Sequence, residues 1–465
     1  MRRYTLVLTV FLILSCPAEE PGFDGITLDF RSAVPQGEEA VIDVDFAGMC
    51  HTGYSNQLER EYGIINEMGI VWLHRDFSWS SIQPSEDTWN FTAFDGYVAR
   101  ANQEGKKIMG MLLYDVGWVH DKYGHPRERR IREEQIPYFV DYAVETVQRY
   151  NGKNGYGFVD AWLIWNEPDL YPRFWTGTQE EFFALNKAVA GAIRKLDETE
   201  GTHTFLIGGV FTSLVSDTWI TGLFEQGGMI EHDVDGIAFH PYGPNPLSCA
   251  AVFQSFMQKV APYGYADKIW LNEMGYPTYL EKGPIPQGRY GTDQYEGTMP
   301  EVAAKTFTLM AAGGAKNLTW YHLFDSRGLD ASGQDTRRNN NSEDWFGLVW
   351  RKNNEEWPKK GGYWGYALCA NNIPGKTYKK LDWGSSVPAN VHNYYFEGND
   401  GSRVLVVWSN DPLVPVDIRV SFGGSNHRLW SVVTGESVPI GETSTHTLHH
   451  LYSDNHNLLF FTWDN

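Results

Sequence analysis

Cysteine is scarce in this chain, with 4 in 465 residues. Cys16 ends an apolar leader; the other three, Cys50, Cys249 and Cys369, have no metal-ligand spacing and can form at most one disulfide among them. A disulfide-stapled scaffold is therefore excluded, and buried thiols are expected. Excess basic charge is also missing. Against 38 Lys and Arg stand 58 Asp and Glu, a formal net charge of −20, which argues against nucleic acid as a partner because its phosphates need cations. Beyond the leader no apolar run is long enough to span a bilayer. Internal repeats and low-complexity tracts are absent. So is a glycine-rich phosphate turn after an early strand: "DFAGMCHTG" does not supply one, which counts against an open doubly wound sheet.

What is present begins with "MRRYTLVLTVFLILSC", two arginines before an apolar stretch of about a dozen residues. This reads as an export signal, and Ile13-Leu14-Ser15-Cys16 resembles a bacterial lipobox with Cys16 as the lipidated residue. The expectation is an exported protein, either a surface or periplasmic lipoprotein touching the membrane only through Cys16, or a simply secreted one. Aromatic residues make up 15% of the chain. They suit a large core, and equally a surface that stacks on flat ligand faces.

From about residue 40 to 370, short β-branched runs alternate with helical stretches. The strands are "AVIDVDF" (40–46), "GIVWLHR" (69–75), "KIMGMLL" (107–113), "VDAWLIW" (159–165), "TFLIGGV" (204–210), "VDGIAFH" (234–240), "KIWLNE" (268–273) and "NLTWYHL" (317–323). Between them run helices such as "TQEEFFALNKAVAGAIRKLD", opened by Thr178 with acidic residues in its first turn. Eight strands alternating with helices predict a (β/α)8 TIM barrel. From about 385 short strands punctuated by Gly, Asn and Asp predict a small C-terminal all-β sandwich. The expected division is a signal and lipobox at 1–16, an N-terminal segment at 17–39 whose "GITLDFRSAV" could add a strand to the β-domain, a barrel at 40–380 and a sandwich at 381–465.

In such a barrel the site lies where strands end. Strand two ends in Arg75-Asp76, strand three in Tyr114-Asp115 and strand four in Asn166-Glu167-Pro168. Strand six ends in His240-Pro241-Tyr242, strand seven in Asn272-Glu273 and strand eight in Trp320-Tyr321-His322. Glu167 and Glu273 are 273 − 167 = 106 residues apart, three βα units, so they face one another across the mouth. One protonated and one ionised carboxyl, so placed, is what cleavage of a glycosidic bond requires.

"WLIWNEPDLYPRFW" with "IWLNEMGYPT" resembles clan A of the retaining glycoside hydrolases. "FSWSSIQPSEDTWNFTAFDGYV", "FGLVW" and the terminal β-domain are most similar to glycoside hydrolase family 39, and the resemblance spans about residues 40 to 465. It implies Glu167 as acid/base and Glu273 as nucleophile, with the carboxyls about 5–5.5 Å apart. It also implies Asn166 on the sugar's 2-hydroxyl, Arg75 on the nucleophile, His240 and Tyr242 at the site, and Trp320 as its aromatic floor. Asn272 departs from the clan, where Thr or Ser is commoner before the nucleophile.

Trp79, Trp118, Tyr171, Trp175, Tyr242, Tyr276 and Trp345 follow strand ends and are candidate stacking rings, with Tyr242 and Trp320 foremost and Trp118 and Trp175 also expected to bind substrate. With so many rings, an endo-acting glycosidase on a polysaccharide or oligosaccharide is expected, with no cofactor and no metal. An exo-acting, xylosidase-like enzyme is the alternative. The other readings are a metal-dependent hydrolase using His74, His240, His322, Asp115 and Asp325, which lacks the usual His-x-His on strand one, and a non-catalytic carbohydrate-binding lipoprotein, which would be expected to lack one carboxylate.

Overall fold

The structure, a computed structural model, describes residues 25–53, 56–278, 297–338, 341–383, 387–410, 416–448 and 457–465. The leader with Cys16 lies outside the described residues, as does all but the last position of loop 281–297.

Two strands precede the barrel, β1 (Ile26–Asp29) and β2 (Val34–Val41). The barrel strands are β3 (Ala47–Cys50), β4 (Trp72–Ser78), β5 (Lys107–Leu113), β6 (Ala161–Ile164), β7 (Leu206–Thr212), β8 (Gly236–His240), β9 (Ile269–Met274) and β10 (Leu318–Trp320). They run parallel, and β10 pairs with both β9 and β3 to close the ring. The expected (β/α)8 barrel is thus what the chain forms.

Strand one differs from expectation. The alternating "AVIDVDF" is not a barrel strand; β3 is the short "AGMC" just after it, buried at every position. A barrel strand is covered on both faces, and a segment with Asp43 and Asp45 every second residue cannot be. Gly48 lets β3 close on β10, because a Cβ there would fall 2.4 Å from Thr319 Oγ1.

Side-chain alternation sets the layers. Trp72, Met109, Met111, Leu163 and Ala238 fill the barrel interior. Leu73, Phe77, Ile108, Leu112 and Ile164 point outward into the layer shared with the helices. The helix Gln179–Glu200 shows why the helical segments begin and end where they do. Thr178 Oγ1 accepts from Glu181 N at 3.3 Å while Glu181 Oε2 accepts from Thr178 N at 2.8 Å, and Gly201 stops the helix at φ 61°.

The C-terminal strands are β11 (Lys376–Asp382), β12 (Val391–Gly398), β13 (Ser402–Ser409), β14 (Val416–Ser421), β15 (Ser425–Trp430), β16 (Ser437–Pro439), β17 (Thr443–Leu448) and β18 (Leu458–Asp464). β2 joins the edge of a seven-stranded sheet through β11, and β1 pairs in parallel with β14 in a three-stranded sheet. Leu405 and Val407 of β13 meet Ile418, Val420 and Trp463 between the two sheets. The alternate residues Val404, Val406 and Trp408 belong to the barrel's own core. Because β13 is apolar on both sides, it fastens the sandwich to the barrel.

Candidate active site

The strand carrying Glu167 ends abruptly for a backbone reason. Trp165 (φ 64°) and Glu167 (φ 43°) both adopt the left-handed region, which is costly for residues with a Cβ and persists only where surroundings enforce it. Pro168 disfavours the right-handed helical conformation at Glu167. Trp165 N donates to Leu112 O at 3.0 Å and Trp165 Nε1 to Phe174 O at 2.9 Å. Asp169 then accepts from Thr212 N at 3.1 Å and Thr212 Oγ1 at 2.6 Å, tying the turn to β7. Burial pushes the Asp169 carboxyl up to about 6, against those hydrogen bonds.

Glu167 and Glu273 meet over His240. His240 Nδ1 lies 2.7 Å from Glu167 Oε1 and 3.9 Å from Glu273 Oε1. One oxygen of each carboxylate and the imidazole nitrogen all fall within 4.8 Å of one another. Tyr242 OH donates to Glu273 Oε1 at 2.9 Å. Asn166 Nδ2 donates to Tyr114 OH at 3.3 Å, while its buried Oδ1 has no partner.

Burial raises the Glu273 carboxyl to about 7; the His240 charge opposes this and the Glu167 charge reinforces it. Burial alone would lower the His240 imidazole, but Glu273 and the hydrogen bond to Glu167 outweigh it and hold it above its ordinary value. His240 Nε2 lies 3.1 Å from Asn272 Oδ1. With that carbonyl oxygen facing it, Nε2 is the donor of the pair, and Nδ1 is left facing Glu167 Oε1. Two carboxyl groups and an imidazole thus share one corner of the site, with Tyr242 donating to the second carboxyl.

Both carboxylates open on a cavity of about 210 Å³, lined among the described residues by His51, His74, Asp76, Tyr114, Asn166, Arg173, Tyr242, Tyr321, Glu343 and Phe346 as well. Arg173 Nη2 reaches Glu343 Oε1 at 3.2 Å, and Tyr321 OH donates to Glu343 Oε2 at 3.2 Å. Arg173 follows β6 and Glu343 follows β10, the fourth and eighth barrel strands, so this ion pair joins opposite sides of the mouth.

Several expected contacts are corrected. Arg75 does not reach Glu273: it donates from Nη1 to Thr52 O at 2.9 Å and lies over the Tyr97 ring at 4.9 Å. On β4, Trp72, His74 and Asp76 face inward and Leu73, Arg75 and Phe77 outward, so the inward side chain is one position earlier. The same slip moves the strand-eight ring. Trp320 is packed against Tyr366 in the outer layer at 5.5 Å, and Tyr321 is the ring on the cavity.

Trp175 is 1% exposed, wedged between Trp165 and Phe182 with Nε1 on Thr178 O. Trp118 donates to Gln83 O at 2.9 Å and packs edge-on against Trp79 and Tyr138. Trp79, Tyr276 and Trp345 are buried as well, and Tyr171 is exposed away from the cavity. The buried rings and Trp118 brace the loops instead of walling the cleft. Arg173, Glu343 and Phe346 were not expected at the site; they sit in long loops whose path periodicity does not encode.

The residues considered for a metal do not converge. His74 Nδ1 lies 3.3 Å from Cys50 Sγ, Asp115 pairs with His120, and only His240 meets the carboxylates. Asp325 is buried between Arg337 Nη1 at 2.7 Å and Lys360 Nζ at 2.8 Å. Asp325→Ala removes the carboxylate that two buried cations share, leaving Asp335 to face Arg337, and is expected to destabilise the fold by about 3–5 kcal/mol, read as a lowered urea midpoint.

A closed parallel barrel with facing carboxylates at the ends of its fourth and seventh strands defines the class, a two-carboxylate (β/α)8 barrel. Within it, the chain matches the family described as "Glycosyl hydrolases family 39" over residues 134–269, which bears out the resemblance carried by the strand-four segment. A second model, described as "Beta-galactosidase", matches residues 51–111. The chain is 36% identical over 174 residues to a β-xylosidase of Caldicellulosiruptor saccharolyticus, a match covering 35% of this chain and 33% of that protein. This chain therefore spans about a third of the length of that curated relative.

Among solved structures, a family 39 glycoside hydrolase from Bacteroides cellulosilyticus WH2 superposes with a TM-score of 0.67 at 16% identity, over 91% of this chain and 81% of that one. A monomeric β-xylosidase from Caulobacter crescentus CB15 gives 0.60 at 12%, over 94% and 98%. A family 30 subfamily 8 xylanase from Clostridium acetobutylicum gives 0.60 at 14%, over 94% and 99%. These superpositions show the shared fold.

Proposed function

We propose that this chain hydrolyses O-glycosidic bonds of an oligosaccharide or polysaccharide with retention at the anomeric carbon. The observation that carries the reading is the carboxylate spacing, with one oxygen of each within 4.8 Å of the other. Retaining pairs stand about 5–5.5 Å apart, whereas inverting pairs leave about 6.5–9.5 Å for a water. Glu273 attacks the anomeric carbon as Glu167 protonates the departing oxygen. Glu167 then takes a proton from water, whose oxygen displaces Glu273 and frees the sugar. The Tyr242 hydroxyl, donating to Glu273, steadies its charge each time the carboxylate is released.

For the mode of cleavage, one observation favours the exo alternative over the expected endo mode. The Arg173–Glu343 pair narrows the mouth from opposite strands, and most of the rings expected to line an open groove, Trp79, Trp175, Tyr276 and Trp345, are buried. Relatives and fold neighbours named β-xylosidase are in keeping with this, though a xylanase stands beside them. Incubation with a panel of β-linked oligosaccharides and polysaccharides, with product sizing, tests both levels. Monosaccharide from the first time point is expected. A ladder of intermediate lengths overturns the exo mode, and no cleavage of any glycan overturns the hydrolase reading.

A further inference from the structure

We propose that Asp76, together with His74, holds hydroxyl groups of the sugar ring in the cavity, and that this ring is a neutral sugar and not a uronic acid. The inference rests on the reading of the cavity as a sugar site, and adds residues and a substrate class to it. Three polar groups facing the cavity lack protein partners. The Asp76 side chain on β4 takes part in no hydrogen bond or ion pair with the described residues. His74 is 3% exposed and its Nε2 is unpartnered, as is the buried Oδ1 of Asn166. Buried polar atoms left open in a folded protein call for a ligand that satisfies them. An ionised carboxylate only accepts, so Asp76 demands O–H or N–H donors, which adjacent hydroxyls of a pyranose supply.

The charge of the cavity selects among sugars. Asp76, Glu167, Glu273 and Glu343 are four acidic side chains on its wall; the cation among the described lining residues, Arg173, is committed to Glu343 at 3.2 Å. Burial pushes the His74 imidazole down to about 3 and lowers that of His51, so neither offers a compensating charge. A uronate would bring a further negative group into this wall and give Asp76 no donor from its carboxylate, and like charges brought together in a shielded site repel strongly.

The test measures binding of free D-xylose, D-glucose and D-galactose against D-glucuronic and D-galacturonic acids at pH 7 by calorimetry. Wild type, Asp76→Asn, Asp76→Ala and His74→Gln are compared, with melting curves confirming that each variant is folded. Wild type is expected to bind at least one neutral sugar, with its uronic counterpart at least about tenfold weaker. Asp76→Asn is expected to weaken the neutral sugar about tenfold to a hundredfold, the scale of hydrogen bonds to a charged group, and to narrow the preference for neutral over acidic. Equal or tighter uronate binding, unchanged affinity in folded Asp76→Asn and Asp76→Ala, or no saturable binding of any sugar by wild type overturns the proposal. Turnover is scored separately. Binding that follows Asp76 without cleavage of any glycoside would sink the hydrolase reading alone, and cleavage with a preference for uronides would sink this inference alone.

Discussion

Glu273→Gln is expected to lower kcat/KM by at least about 10⁴-fold, roughly 5 kcal/mol of transition-state stabilisation, because no other group can form the covalent intermediate. The same substitution should stabilise the fold at alkaline pH. The Glu273 carboxyl is raised from an ordinary 4.5 to about 7 in the folded chain, so between those values the folded state binds more protons than the unfolded one. Its favourable contribution is complete below about 4.5 and disappears as pH rises through about 7. At pH 8 a buried ionised carboxylate remains, whose removal is expected to stabilise by on the order of 2 kcal/mol, and the gain should vanish below about pH 4. Urea denaturation of wild type and Glu273→Gln at pH 4, 6 and 8 checks both sign and window. A variant that loses activity and gains no stability at pH 8 would contradict the electrostatic account of this residue.

The second large effect concerns Glu167. Glu167→Gln should reduce kcat about 10²- to 10⁴-fold on a glycoside whose leaving group needs a proton, and far less on an activated aryl glycoside that does not. Its pH profile should change as well. The active form has Glu273 ionised and Glu167 protonated, so wild-type kcat/KM is expected to be bell-shaped, with the basic limb set by loss of the proton the pair retains. The Glu167 charge raises the Glu273 carboxyl, so the pair holds that proton more firmly than a lone glutamate would, and Glu167→Gln is expected to remove the basic limb. Equal losses on both leaving groups, or a persisting basic limb, would show that Glu167 is not the acid beside Glu273.

How far the sequence anticipates the structure depends on which kind of periodicity a feature has. The strand β5, Lys107–Leu113, coincides with its apolar run because both faces are buried and polar residues bound it, Lys107 at its start and Tyr114-Asp115 after its end. β3 could not be found that way, since "AGMC" is short and has little β propensity; it is a strand because β4 and β10 flank it. Glu167 and Glu273 were legible because both stand at the tips of apolar strands separated by whole βα units. Arg75 and Trp320 were misplaced by one residue, which in a strand reverses the face. The signal that would have corrected Arg75 was available, since Leu73 and Phe77 share its parity and belong to the outer layer.

The aromatic loops failed for a different reason. A ring after a strand can stack on a ligand or on other rings, and only packing decides which. Trp79, Trp118 and Trp175 each found protein rings within 6 Å. Glu343 and Arg173 were beyond reach because a contact between the fourth and eighth loops is a property of the closed barrel.

The central claim is that two carboxylates this close act by double displacement, and the anomeric configuration of the product reports on it directly. Proton NMR of the first sugar released, recorded before mutarotation, should show the configuration of the glycoside supplied. The opposite anomer would mean a single displacement by water and would contradict the account.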